Sequence, residues 1–374
     1  MSASPNSPPS SGATSKYWTP RVAALEPYVP GEQPKTPDLL KLNTNENPYP
    51  PSPRVAEVYS RSAIDDLRLY PDPTSTALRS TIAAYYSAKP SHVGASLTAD
   101  NVLVGNGSDE VLAHAFVAFF AGRDEPLLSP DIGYSFYPVY CKLYGVTLMP
   151  IALNERFEID PTLYQRPNAG VIVANPNAPT SIAMPRASVE ALLRGNPDTV
   201  VLVDEAYVDF GAESVVPLVD RYPNLLVVQT LSKSRSLAGA RLGFAIGSPE
   251  LIEGLTRVKD SFNSYPVDRL AEAAGIAAFE DEDYFRQCCA KIVATREWTT
   301  AALTELGCQV LPSHANFVMA KPGSASAREV FERLRAANIV VRFFDKPRVG
   351  DFLRITIGTD PQMKRLVGAL REML

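Results

Sequence analysis

The chain reads as an α/β protein: a mostly parallel sheet covered by helices on both faces, followed by a smaller domain of mixed strands and helices. Three observations lead there. Between residues 101 and 247, short and almost purely apolar runs recur, each too apolar to lie half-exposed. Crossover-length segments with a helix-like pattern separate them, as parallel strands require and hairpins do not. From residue 268 onward, about a hundred residues carry their own alternation of strand and helix, the size of a second domain. With 374 residues, 45% of them hydrophobic, there is enough apolar material for two such units.

Taken in order, the first fifteen residues are rich in Ser and Pro and hold no apolar core segment, so neither a signal peptide nor a membrane span is expected there. Residues 1–16 read as a disordered tail. Residues 17–47 mix aromatics with Pro and Gly, as in Tyr28-Val29-Pro30-Gly31-Glu32, which suits an arm laid against other structure or a plain linker. Strands are expected at 102–104, 126–128, 171–174, 200–203, 225–229 and 242–246, within a large domain spanning 48–267. Residues 268–307 read as one long helix, with Ala and charged residues and no proline. Strands at 317–320, 339–343 and 353–357 then alternate with helices at 327–337 and 361–373, giving a small domain over 268–374.

The net charge of -5 is modest, and no Lys/Arg-rich run is interleaved with aromatics, so the expected partner is a small molecule rather than nucleic acid. Cys141, Cys288, Cys289 and Cys308 show no C-x-x-C spacing and do not resemble a secreted disulfide framework, which points to a reducing cytoplasm. His92, His114 and His314 stand apart, so no metal site is expected.

In such sheets ligands bind beyond the carboxyl ends of the strands. Four segments there carry chemistry. Gly105-Asn106-Gly107-Ser108-Asp109-Glu110 follows one strand and opens a helix, so the free N–H groups of Ser108 and Asp109 suit an anion; an ordinary Ser or Asp N-cap would explain the same residues. It is not a dinucleotide fingerprint, because Glu110 takes the third glycine position. Asp204 ends the apolar strand Val200-Val201-Leu202-Val203, where a buried carboxylate needs a cation such as a protonated pyridine nitrogen, unless it merely caps a helix. Asn175-Pro176-Asn177-Ala178-Pro179-Thr180 follows another strand, and its two X-Pro bonds force a defined irregular path. Ser232 and Lys233 follow a third strand, with Arg241 eight residues on, an amine beside an anion site or a surface Lys/Arg pair. Together these segments supply a Schiff-base lysine, an acidic partner for a ring nitrogen and a phosphate cup, which is what pyridoxal phosphate requires.

At these residues the chain resembles the fold type I pyridoxal-phosphate aminotransferases, and among them the branch acting on histidinol phosphate. The likeness runs from Tyr17 to the C-terminus through Leu42-Asn43-Thr44-Asn45-Glu46-Asn47-Pro48, Tyr70-Pro71-Asp72-Pro73, Gly107-Ser108-Asp109-Glu110 and Tyr134-Ser135-Phe136-Tyr137-Pro138. It continues through Val203-Asp204-Glu205-Ala206-Tyr207, Thr230-Leu231-Ser232-Lys233 with Arg241, and Leu353-Arg354-Ile355-Thr356-Ile357-Gly358. The resemblance implies a seven-stranded sheet and a smaller α+β C-terminal domain. It implies that Lys233 bonds the cofactor and moves a proton, that Asp204 keeps the ring nitrogen protonated, that Tyr134 stacks on the ring and that Tyr207 meets the ring oxygen. Ser232, Arg241, Ser108 and Asp109 would hold the phosphate, joined by Tyr70 from the partner of a homodimer. Arg354, with Arg342 and Asn45, would meet the substrate.

The implied reaction is transamination between L-histidinol phosphate and 2-oxoglutarate, giving imidazole-acetol phosphate and L-glutamate in histidine biosynthesis. An aromatic amino-acid aminotransferase is the alternative, and a pyridoxal-phosphate lyase acting on a phosphorylated amino acid stands behind it. One departure matters. Many relatives carry Asn directly before Pro-Thr-Gly, where its side chain reaches the ring oxygen. Here Ala178 precedes Pro179-Thr180-Ser181, so Asn177 or Asn175 is expected to take over that contact.

Overall fold

The computed structural model describes residues 16–28, 31–33, 36–61, 64–91, 94 and 96–374. The expected tail up to residue 15, Val29-Pro30 of the arm, and His92 lie outside the described residues. The chain enters through β1 (Leu40–Lys41) and then builds its main sheet from β2 (Val102–Asn106), β3 (Leu127–Pro130), β4 (Leu148–Ile151) and β5 (Gly170–Ala174). The same sheet is completed by β6 (Val201–Asp204), β7 (Leu225–Thr230) and β8 (Leu242–Gly247).

Strand order is β2-β8-β7-β6-β5-β3-β4. All neighbours from β7 to β4 are parallel, while β8 runs against both β2 and β7. β2 therefore points the same way as β7, and its carboxyl end reaches the same rim. The continuous apolar runs follow from two-sided burial. Val171, Val173, Val201, Val203, Leu225 and Val227 face one core, shared with Leu192 and Ala274. Ile172, Leu202, Leu226 and Val228 face the other, shared with Val111, Leu112, Phe116 and Tyr140. Of the seven strands of this sheet, β4 alone was not expected from the sequence. It is an edge strand, partly exposed and carrying Pro150, where the apolar run that marks the central strands is not needed.

The helix expected over 268–307 is two helices, Arg269–Glu280 and Glu282–Glu305. The break is at Asp281, whose carboxylate caps the second helix at Tyr284 N (3.4 Å) and accepts the Ser52 hydroxyl. The two helices serve different cores. Ala271, Ala274, Ala277 and Phe279 join the large-domain core, whereas Phe285, Cys289, Ile292 and Leu303 join the smaller one. Residues 269–280, read from the sequence as small domain, therefore pack with the large one, because their small apolar face meets the helices at 53–61 and 76–87.

The smaller unit contains β9 (Gln309–Val310), β10 (Phe317–Lys321), β11 (Ile339–Val340), β12 (Arg342–Phe343) and β13 (Leu353–Thr356). Strands β12-β13-β10-β9 form an antiparallel sheet, while β11 pairs in parallel with β1. The strand expected at 339–343 is thus shared between two sheets, parting at Val341. Through β1, Leu40 and Leu42 of the arm enter the small core, and Leu42 O receives Thr356 N at 3.0 Å. That clamp carries residues 43–47 across to the rim of the large sheet. Among the described residues, no helix is long and apolar enough to cross a membrane.

Candidate active site

Where the carboxyl ends of the main-sheet strands face the small domain, a cavity of about 250 Å³ opens. Ser108, Asp109, Tyr134, Asp204, Tyr207, Ser232, Lys233 and Arg241 line it from the large domain, and Asn45, Arg342 and Arg354 line it from the other side. Asn175, Asn177 and Tyr70 do not.

Asp204 is the last residue of β6 and is buried. Its carboxylate accepts the Tyr137 hydroxyl at 2.9 Å and Ala206 N at 3.2 Å, so it closes a turn and does not cap a helix. Burial pushes its carboxyl up to about 6, while those two donors pull it back. Lys233 stands just past β7. Its Nζ donates to Thr44 O at 3.2 Å and sits 5.9 Å from the centre of the Tyr207 ring. Asn47 fixes the lysine backbone by donating to Lys233 O at 2.9 Å.

The anion cup is the start of the helix Ser108–Ala115. Gly107 is the cap residue, with φ +82° and no side-chain cap, so Ser108 and Asp109 lie inside the helix and do not cap it. Among the described residues, the N–H groups of Ser108, Asp109 and Glu110 make no hydrogen bond, and the positive end of the helix dipole adds to them. Two glycines allow the closeness. A Cβ on Gly107 would lie 2.5 Å from the Arg241 guanidinium, and one on Gly243 of β8 would lie well inside contact with Ser108 N. Arg241 reaches Asp109 at 3.3 Å, a half-exposed pair of small worth that a phosphate would displace easily. Ser232 accepts the Thr230 hydroxyl at 2.9 Å, leaving its own proton free.

Arg354 on β13 and Arg342 on β12 are directly opposite in register. Arg354 donates to Asn43 O at 2.8 Å, lies over the rings of Phe317 and Phe344, and has its Nε buried without a partner. Burial, with the neighbouring Arg342 charge, holds its pKa below the usual arginine value. Among the described residues neither guanidinium makes an ion pair, so the two cations await an anion.

Two expectations need correction, those for Asn175 and Asn177. Asn175 cannot reach a cofactor: its Oδ1 accepts Met184 N at 2.8 Å and its Nδ2 donates to Met184 O at 3.3 Å. Asn177 donates to Ile132 O at 2.9 Å and Thr180 Oγ1 at 3.0 Å, and lines a separate recess with Phe157 and Ile159. The Asn175-Pro176 and Ala178-Pro179 bonds are cis, and Ala178 is the residue of this loop's Asn-Pro-Asn-Ala run that lines the cavity. Asn45, expected at the substrate's distal end, lines the cavity but is buried, and it hydrogen-bonds Tyr207, Thr356 and Asn316. Tyr70 is exposed, stacked on Tyr265 at 4.6 Å, and away from this chain's own cavity. The sequence reading missed Tyr137, whose signal was its place three residues after Tyr134 at a helix start, and Tyr28 and Phe344, which line the cavity without any motif.

The family description "Aminotransferase class I and II" matches residues 37–370. The chain belongs to that family. It is 56% identical over 365 residues to the histidinol-phosphate aminotransferase of Acinetobacter baumannii (strain SDF), covering 97% of this chain and 98% of that one. It is likewise 56% identical to histidinol-phosphate aminotransferase 1 of Bradyrhizobium diazoefficiens, over 96% of this chain and all of the relative. Among solved structures, the histidinol-phosphate aminotransferase of Sinorhizobium meliloti in complex with pyridoxal-5'-phosphate shares the fold with a TM-score of 0.82 at 24% identity, covering 96% of this chain and 98% of that one.

The residues of this aminotransferase fit pyridoxal phosphate. An unpaired helix start flanked by Arg241 and Ser232 suits its phosphate, and a buried carboxylate without an ion-pair partner suits its ring nitrogen. Lys233 lines the same cavity. The partnerless N–H groups and the raised Asp204 carboxyl are each the mark of a missing counterpart.

Proposed function

We propose that this pyridoxal-phosphate enzyme transfers the amino group of L-histidinol phosphate to 2-oxoglutarate, giving imidazole-acetol phosphate and L-glutamate in histidine biosynthesis. The observation that carries the reading is the Arg342 and Arg354 pair, without an ion pair among the described residues, in the wall of the cavity that Asp204 and Lys233 also line. A planar guanidinium binds a phosphate ester and a carboxylate with the same fork, so one pair of arginines can serve both half-reactions. The 56% identity to named histidinol-phosphate aminotransferases supports the same substrate.

The cofactor supplies an electron sink conjugated to the reacting carbon. Lys233, whose Nζ now donates to Thr44 O, would hold and move the proton between the reacting carbon and the cofactor. Asp204, kept in place by Tyr137 and Ala206, holds positive charge at the ring nitrogen. Tyr134 would cover the ring face, and Tyr207 would donate to the ring oxygen. Tyr28, Tyr134 and Phe344 give the cavity an aromatic lining suited to a flat imidazole.

The active unit in this reading is a cytoplasmic homodimer, in which the exposed Tyr70 of one protomer reaches the cofactor phosphate of its partner. The division between large and small domains falls at Asp281. The test is the ratio of kcat/KM for histidinol phosphate to that for phenylalanine and tyrosine, with 2-oxoglutarate as acceptor. A clear preference for histidinol phosphate is expected; faster turnover of either aromatic amino acid would give the alternative reading, and carbon dioxide release would give a lyase.

A further inference from the structure

We propose that Asn45 is a positioning residue for the cofactor ring: its amide aims the Tyr207 hydroxyl at the ring oxygen and ties that contact to the strand bearing Arg354. The inference rests on the family's cofactor and is independent of which substrate the enzyme takes.

The Asn45 amide is engaged through both its nitrogen and its oxygen. Its Nδ2 donates to the Tyr207 hydroxyl oxygen at 2.9 Å, its Oδ1 accepts the Thr356 hydroxyl at 3.0 Å, and its own N–H donates to that same hydroxyl oxygen at 3.0 Å. Asn316 holds its carbonyl at 3.0 Å. The backbone at Asn45 is left-handed, with φ +56°, a conformation that Asn tolerates better than most residues and that directs the side chain inward. A phenol has one proton and two lone pairs. With Asn45 donating to the oxygen, the proton of Tyr207 is left to point elsewhere, and the cavity it lines is the open direction.

Nothing nearby shares the task. Ala178 presents a methyl group to the cavity, and the amides of Asn175 and Asn177 are spent on Met184, Ile132 and Thr180. The ring-oxygen contact therefore falls on Tyr207, and the direction of its hydrogen bond falls on Asn45. Thr356 lies two residues beyond Arg354 on β13, so the chain Thr356, Asn45, Tyr207 joins the anion-binding strand of the small domain to the ring pocket of the large one. This gives substrate binding at Arg354 a short mechanical route to the cofactor.

A hydroxyl donating to the ring oxygen competes with the proton on the lysine-derived nitrogen for that oxygen's negative charge, so it favours loss of that proton. The groups facing Tyr207 are Lys233 and Asp204 from the large-sheet rim, Tyr134 and Tyr137 from the helix lead-in, and Arg354 from β13. All are unchanged in the variants, so a shift reports the hydroxyl.

The test is the pH midpoint of the visible absorbance change of the holoenzyme, read without substrate. Asn45→Gly keeps the left-handed backbone and deletes the amide. Its midpoint is expected to rise by roughly half to one pH unit, the size of one neutral hydrogen bond, and Tyr207→Phe should shift it the same way. In the Tyr207→Phe background, Asn45→Gly should add nothing, and Ala178→Asn should restore part of the shift in Asn45→Gly. An unchanged midpoint in Asn45→Gly, or an equal shift with and without the Tyr207 hydroxyl, overturns the proposal. Should Asn45→Gly fail to fold, Thr356→Val removes the hydroxyl that fixes the amide. A smaller rise is then expected, and its absence overturns the proposal too. Because substrate is absent throughout, failure of this proposal is distinct from failure of the histidinol phosphate reading.

Discussion

Asp204 gives the most quantitative prediction, because its burial has opposite consequences with and without the cofactor. In the cofactor-free protein the folded carboxyl is raised from 3.8 to about 6, with burial as the main cause. Between those two values the folded state holds a proton that the unfolded chain has released, so stability falls as pH rises through this window. The cost is absent below the unfolded value and complete above the folded one. At about 1.4 kcal/mol per unit, ionised Asp204 destabilises the cofactor-free protein at pH 8 by about 3 kcal/mol.

Asp204→Asn removes the charge and keeps the shape. Its single carbonyl oxygen can still accept Ala206 N, while its NH2 can donate to the Tyr137 hydroxyl, whose proton then loses its acceptor at a cost of about 1 kcal/mol. A net gain of about 2 kcal/mol is expected at pH 8, shrinking on the way to pH 5 and gone in more acidic solution. Glu205, raised by burial to about 7, acts with the same sign but is present in both proteins and cancels. Urea unfolding followed by far-UV circular dichroism, with m-values compared, measures the difference. Saturating pyridoxal phosphate should reverse the order, since the charged partner of the ring nitrogen is then lost in the variant. Equal midpoints in the cofactor-free pair at pH 8, or no reversal with cofactor, would refute the argument.

Lys233→Ala should abolish the lysine-linked visible band and lower turnover by at least about 10²- to 10⁴-fold, with unfolding nearly unchanged because the amine makes one hydrogen bond, to Thr44 O. Arg354→Met should lower kcat/KM for histidinol phosphate by about 10- to 100-fold, as expected for one charge-assisted bond, mostly through KM; steady-state rates with both substrates check this. Gly243→Ala should weaken cofactor binding, seen by titration, and destabilise the protein by about 2 kcal/mol or more, because the new Cβ meets the backbone of Ser108 and not a movable side chain.

The large sheet was legible because its central strands are buried on both faces, which leaves a continuous apolar run in the sequence. β4 escaped because an edge strand with Pro150 needs no such run. The residues at strand ends were legible for a related reason: Asp204 and Lys233 are polar breaks directly after apolar runs, where the fold places ligands. The helix break at Asp281 was hidden, because one Asp within Ala- and charge-rich sequence is equally compatible with an exposed helical face. What fixes it is the change of core beneath, with Phe279 turned to one and Phe285 to the other.

Asn45 shows where reading by motif stops. The family resemblance implied for it a contact with the substrate's distal end. Its partners are 162 residues away at Tyr207 and 311 away at Thr356. No local pattern encodes either distance. Both exist because Leu40 and Leu42 bury in the small core and hold the arm against β11 and β13, so that residue 45 arrives at the junction of the two domains. A side chain delivered to such a junction by apolar neighbours is largely buried even where it lines a cavity. Its amide must then be satisfied from within, and Tyr207 and Thr356 are the groups that satisfy it. Asn45 lines the cavity and, through its bond to the Tyr207 hydroxyl, is set to control a residue that would touch the cofactor.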